Sequence, residues 1–164
     1  MEAHVMHKPR TWALVADGVR ARILRGLEDG APPSFPPTEL ISRSRSQHLR
    51  DVMSDKPGRT QSSDHSGRRS SLDYGTDPIK EDMRDFAREI VDRLDSHRRA
   101  RDFARLAIFA APDMLGTLRQ EMSRALKSTV FFERSQNLMH LREDDLRERV
   151  VKEIRASFFE GERE

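Results

Sequence analysis

Two short, almost uninterrupted apolar runs constrain this chain more than anything else in it. Thr11 to Ala16 reads Thr-Trp-Ala-Leu-Val-Ala, and Arg105 to Ala111 reads Arg-Leu-Ala-Ile-Phe-Ala-Ala. A strand with apolar side chains at consecutive positions must be covered on both faces, which is the signature of the central strands of a parallel or mixed sheet flanked by helices. Between and after these runs the pattern changes to helical spacing. Asp77-Pro78 is a helix start, with Asp as N-cap and Pro at the first helical position. Met83, Phe86, Ile90, Val91 and Leu94 then form one apolar stripe. Pro112 opens a second helix with the stripe Leu115, Leu118, Met122 and Leu126, and Glu143 to Phe159 forms a third. That third helix carries Leu146, Val150, Ile154 and Phe158 inward, and its acidic residues lie at the start, where the helix dipole favours them.

The remaining strands are half-exposed. Asp17-Gly18 follows the first run and is the pair that a type I′ hairpin turn prefers, because both central positions need positive φ. Val19 to Leu24 then alternates, with Ala21 and Ile23 on one face and Arg20, Arg22 and Leu24 on the other. The proline-rich stretch Pro32-Pro33-Ser34-Phe35-Pro36-Pro37 excludes helix and central strand. Thr38 to Ser42 makes a third, edge strand, and Thr129 to Glu133 a fifth. The order βββαβαβα, with two right-handed αβ units, is the connectivity of a ribonuclease H-like α/β fold, a mixed five-stranded sheet of order 3-2-1-4-5 with flanking helices. The expected organisation is a flexible tail over 1–10, one domain over 11–159, and a flexible tail over 160–164.

Inside that domain sits a segment that does not fit the core. From Arg43 to Asp77 there is almost no apolar periodicity; Ser, Arg, Asp and Gly dominate. A stretch of this length without regular structure is uncommon in a compact domain, and is usually functional or disordered. It also explains why the hydrophobic fraction is only 35%, below the usual value of about 45–50%. Ile41 to Ser71 holds seven basic residues against three acidic ones, a net of +4 in a chain whose total is +2. The rest of the chain is therefore near −2. A basic patch on a nearly neutral body suits an anionic partner, nucleic acid first. A solvated loop or a subunit-docking arm accounts for the same composition.

Within the segment, Ser54-Asp55-Lys56-Pro57-Gly58-Arg59-Thr60-Gln61 and Ser66-Gly67-Arg68-Arg69-Ser70 combine glycines with arginines. Glycine permits close backbone approach, and the guanidinium forks onto phosphate. Lys56, Arg59, Thr60, Arg68 and Arg69 are the candidate phosphate contacts. Aromatic residues for base stacking are nearly absent, Tyr74 excepted, which points to backbone or shape recognition of structured RNA.

Catalytic alternatives are thinner. Asp17 and Asp113 each follow one of the two apolar runs, so carboxylates at adjacent strand ends could hold Mg²⁺ for phosphodiester hydrolysis. Each also has an ordinary role, Asp17 in a turn and Asp113 in the first turn of a helix. A third acid would come from Glu81, Asp82, Asp85 or Glu89, which read as exposed positions. The six histidines show no ligand spacing beyond His4-x-x-His7, and the chain has no cysteine, so thiolate chemistry, disulfides and Cys-ligated zinc are excluded. No phosphate-binding glycine loop or Gly-x-Ser-x-Gly elbow occurs. No metal and no cofactor is implied. No run approaches a membrane span, and Met1 to Arg10 lacks the apolar region of a secretory signal, so cytoplasm is the plain expectation.

These residues resemble the bacterial host attachment protein family. The resemblance rests on Thr11 to Leu24 (Thr-Trp-Ala-Leu-Val-Ala-Asp-Gly-Val-Arg-Ala-Arg-Ile-Leu) and on Asp55-Lys56-Pro57-Gly58-Arg59-Thr60. It continues through Asp77-Pro78, Phe86-Ala87 and Ala111 to Arg119. The segment Gln136-Asn137-Leu138-Met139 departs from it; the family tends to carry Lys-Asp-Leu-Thr there. The resemblance implies a part in attachment to a host cell, which is a phenotype and not a chemistry. The family in turn is distantly similar to the central domain of archaeal and eukaryotic peptide-chain release factors, whose catalytic loop carries Gly-Gly-Gln in the corresponding place. Here the segment lacks that triplet, its nearest glutamine being Gln61. The implied reading is a non-catalytic RNA- or ribosome-associated module. A protein-interaction or homo-oligomer-forming factor is the alternative, and a magnesium-dependent nuclease the second alternative.

Overall fold

A computed structural model describes residues 8–31, 36–43 and 77–161. Five strands, β1 (Thr11–Ala16), β2 (Arg20–Leu24), β3 (Thr38–Ile41), β4 (Arg105–Ala110) and β5 (Val130–Ser135), form one sheet of order β3-β2-β1-β4-β5. β1 pairs antiparallel with β2 and parallel with β4, in register from Thr11↔Arg105 to Ala16↔Ala110. β2–β3 is antiparallel and β4–β5 parallel. The two apolar runs are thus the central pair, and every residue of β1 is buried.

Alternation divides the central strands between two cores. Trp12, Leu14, Ala16, Leu106, Ile108 and Ala110 face one side, where α1 (Pro78–Arg99) and α2 (Pro112–Glu121) cover them. Ala13, Val15, Ala107 and Phe109 face the other, beneath α4 (Glu143–Gly161) with its Leu146, Val150 and Ile154. α1 begins as its sequence dictates: the Asp77 carboxylate accepts from the Ile79 backbone N–H at 2.9 Å, and Pro78 stands in the first turn. Phe86, Ala87, Ile90, Val91 and Leu94 are its buried stripe, and His97, Arg98 and Arg99 complement the dipole in its last turn. Burying Phe86, Ile90 and Leu94 contributes about 1.5–3 kcal/mol each.

Several local expectations are corrected. The stripe Leu115–Leu126 does not lie on one helix. α2 stops at Glu121, Met122 is extended, and the short α3 (Arg124–Lys127) starts afresh. Ser123 is the cause, because its hydroxyl accepts from Leu126 N–H at 3.1 Å and caps the new turn. Leu126 is still fully buried, so the break redirects the chain without losing the apolar contact. The last strand starts at Val130, because Thr129 closes α3 through its hydroxyl to the Leu126 carbonyl at 2.6 Å. It runs on to Ser135, since Glu133 and Arg134 find ion-pair partners in Arg119 and Glu153.

The β1–β2 turn is not type I′. Neither Asp17 nor Gly18 has positive φ among the described residues. The register Ala16↔Ala21 makes Gly18 and Val19 the central pair, with the Asp17 side chain supplying the closing acceptor. Phe158 is not in the core; it is half exposed, and its ring stacks on that of Phe131 in β5. Conversely, Leu138 and Met139, in the connection between β5 and α4, are buried in the α4-side core.

Candidate site at the carboxyl edge of the central strands

The carboxyl ends of β1 and β4 adjoin. Ala111 N–H donates to the Ala16 carbonyl at 3.1 Å, which brings the residues that follow, Asp17 and Asp113, to one edge of the sheet. This is the edge where open α/β sheets place their ligands. Four separate pieces of chain meet there. Asp17 N–H donates to the Arg20 carbonyl at 2.9 Å, and the Asp17 carboxylate accepts from Val19 N–H at 2.9 Å and Arg20 N–H at 2.7 Å. Ser42, buried at the end of β3, donates its backbone N–H to the Val19 carbonyl at 2.8 Å. A Cβ on Gly18 would come within 3.1 Å of Met83 Cε, so the turn packs closely on α1. Thr117 of α2 closes the edge, with its hydroxyl 3.7 Å from Met83 Sδ and donating at 2.9 Å to the Asp113 carbonyl.

Both ends of the long segment lie toward this edge of the sheet. β3 delivers the chain to Ser42 and Arg43 beside the hairpin turn, and α1 receives it at Asp77. Arg43 faces a groove of about 590 Å³ along α1, lined by Asp82, Asp85, Arg88 and Glu89 among others. Residues 44–76 themselves lie outside the described residues, and with them Lys56, Arg59, Thr60, Arg68 and Arg69.

The carboxylates at this edge have other occupations. Asp17 holds two backbone N–H groups of its own turn. Asp113 is exposed in the first turn of α2. Glu81, Asp82 and Asp85 are exposed on α1, Glu89 is half-buried, and Asp85 pairs with Arg88 at 3.6 Å. Among the described residues, no group of three or more His, Asp or Glu could hold a metal ion. His97 lies at the far end of α1, its ring 5.0 Å from that of Trp12 and its Nδ1 2.8 Å from the Asp102 carboxylate; His140 is exposed.

What the sequence reading missed at this edge is apolar. Val19 in the turn, Ile41 at the end of β3 and Ile79 in the first turn of α1 are all exposed, Ile79 by 74%. The signal for Ile79 was present: it stands ahead of the stripe that begins at Met83, on a part of the helix that overshoots the sheet. Val19 and Ile41 gave none, since their exposure depends on how β3 ends against the turn. No described helix is long and apolar enough to cross a membrane.

Compared with known proteins, residues 12–150 match the sequence model of a family described as "Protein required for attachment to host cells". No curated protein matches the chain.

Proposed function

The chain belongs to the host attachment family, and from that premise we propose that it is a non-catalytic RNA- or ribosome-associated module acting in the cytoplasm. Its contacts to phosphate are made by Arg59, Arg68 and Arg69, with Lys56 and Thr60. One observation carries this reading: the chain enters and leaves the +4 segment at a single edge of a rigid sheet, anchored by Ser42 to Val19 and by the Asp77 cap. A segment of net charge +4 whose two ends meet one edge of a packed domain adds positive charge to that edge, which favours association with phosphate. The strand order is that of ribonuclease H-like sheets, and we read the fold as a member of that group, with a distant likeness to the release-factor central domain. The engaged Asp17 and the exposed Asp113 favour binding over hydrolysis. Any contribution to host attachment is then indirect, through the RNA or ribosome that the module engages.

Co-sedimentation with bacterial ribosomes tests this directly. The wild-type protein is expected in the ribosomal pellet at low salt, and Arg59→Ala/Arg68→Ala/Arg69→Ala in the supernatant. Equal distribution of the two proteins would remove the proposal.

A second reading is favoured by the exposed Val19, Ile41 and Ile79 beside the same anchor points. On it, this edge docks a protein partner or a second copy of the chain. Light scattering of the full chain and of a variant lacking Ser54 to Ser70 separates the two, since a defined oligomer lost with that segment supports docking.

A further inference from the structure

The opposite edge of the sheet, at the amino ends of β1 and β4, carries a cavity that the proposed RNA contacts do not use. It encloses about 300 Å³ between Thr11, the turn at Glu28 and Asp29, the start of β4, and α4. Its wall is formed by Arg105 with two phenyl rings. The Phe131 and Phe158 rings lie nearly parallel, 7° apart in plane and 6.2 Å between centroids. The Arg105 guanidinium stands 4.1 Å from the Phe131 centroid and 5.3 Å from that of Phe158. Held there, it has no carboxylate or carbonyl acceptor among the described residues.

The acids of the cavity are already engaged. Glu28 accepts from the Thr11 backbone N–H at 2.9 Å. Asp29 pairs with Lys8 at 3.3 Å and Arg155 at 3.4 Å. The hydrogen bond and charge of Lys8, followed by the charge of Arg155, hold the Asp29 carboxyl below its ordinary range. Among the described residues that line the cavity, Lys8, Arg105 and Arg155 thus face Glu28 and Asp29, leaving one positive charge in excess. That charge is the guanidinium set against the Phe131 ring and beside the Phe158 ring.

We propose that this cavity is a binding site for a small planar aromatic anion, its ring system beside Phe131 and Phe158 and its acidic group on Arg105. The volume is at the lower end for small-molecule pockets, about 300–1,000 Å³, and suits one or two fused rings. A guanidinium resting against a phenyl ring spends none of its N–H groups on that contact, so they stay available for a bidentate acidic group. An aromatic carboxylate, sulfonate or phosphate all satisfy this chemistry. The same cluster would also serve as a mere clamp between β5 and α4, which the test separates.

The probes are 8-anilinonaphthalene-1-sulfonate and N-phenyl-1-naphthylamine, which share their rings and differ in the sulfonate. Titrated into the full chain and followed by fluorescence, the sulfonate is expected to bind saturably and about tenfold more tightly than the neutral dye. Arg105→Gln removes that preference, leaving the two dyes alike, and Phe158→Leu weakens both. Arg105→Lys keeps the charge and retains a preference for the sulfonate. The near-UV signal of Trp12, which lies in the other core, reports that each variant is folded. The proposal is overturned if Arg105→Gln binds the sulfonate as wild type does, if the dyes never differ, or if Arg105→Lys loses the preference as fully as Arg105→Gln.

Discussion

Replacing Asp17 distinguishes a turn-forming carboxylate from a metal-binding one. In Asp17→Ala the Val19 and Arg20 N–H groups lose the acceptor they now share at 2.9 and 2.7 Å. A hydrogen bond to a charged group contributes about 1.5–3 kcal/mol when buried, and less where water can replace the lost acceptor. Both bonds are exposed, so the pair together is worth about 1–2 kcal/mol. In a domain of this size each kcal/mol moves the midpoint by about 2–4 °C. Thermal unfolding followed by far-UV circular dichroism should therefore place Asp17→Ala about 2–8 °C below wild type. Asp17→Asn keeps a carbonyl oxygen in the same position and should recover at least half of that loss. Millimolar Mg²⁺ should shift neither protein. The reasoning is refuted if alanine costs nothing or if asparagine costs as much as alanine. It is equally refuted if Mg²⁺ stabilises wild type but not Asp17→Asn, since charge would then be the property that matters.

Two further outcomes follow from particular contacts. Arg101, just past the end of α1, has φ of 61°, a left-handed conformation that glycine adopts without strain, so Arg101→Gly should raise stability by about 0.5–1 kcal/mol in a urea titration; an unchanged or lower midpoint contradicts this. Asp95 is held below the ordinary carboxyl value of 3.8, first by its hydrogen bond from Arg98 and then by the charges of Arg98 and Arg99. Because the folded value is the lower one, the stabilisation is present above pH 3.8 and is lost as pH falls through the folded value. The stability gap between wild type and Asp95→Asn should therefore be open at neutral pH and close in acid, and a gap constant across that range would contradict it.

How far the sequence spoke depended on whether a feature was local. β1 and β4 were legible because a short, almost uninterrupted apolar run must be covered on both faces, and α1 because its cap, proline and stripe agree. The break at Met122 was not, since Leu115, Leu118, Met122 and Leu126 keep helical spacing straight through it. Only Ser123, a residue equally at home on an exposed helix face, marks it. Phe158 continued the α4 stripe, but it meets the partly exposed Phe131 and Arg105 and not the core, a difference that spacing does not carry. Leu138 and Met139 had too few neighbours to show any period, yet both fill the core. At the carboxyl edge, Asp17 and Asp113 were correctly brought to neighbouring strand ends. The contacts that surround them, from Ser42 to Val19 and from Gly18 to Met83, join residues far apart in the chain. The pocket around Arg105 draws on pieces from Lys8 to Phe158, and no window of sequence contains it.

The claim that most needs deciding is that Arg59, Arg68 and Arg69 meet phosphate. Affinity for a structured RNA, such as a transfer RNA, measured by anisotropy across a range of salt concentrations, reads this out as a slope. Each phosphate contact contributes roughly 0.7–0.9 to the decline of log affinity with log salt. The wild-type protein should show a steep decline, and Arg59→Ala/Arg68→Ala/Arg69→Ala a slope shallower by about 2–3. A wild-type affinity indifferent to salt, or a triple variant with the wild-type slope, would contradict the account.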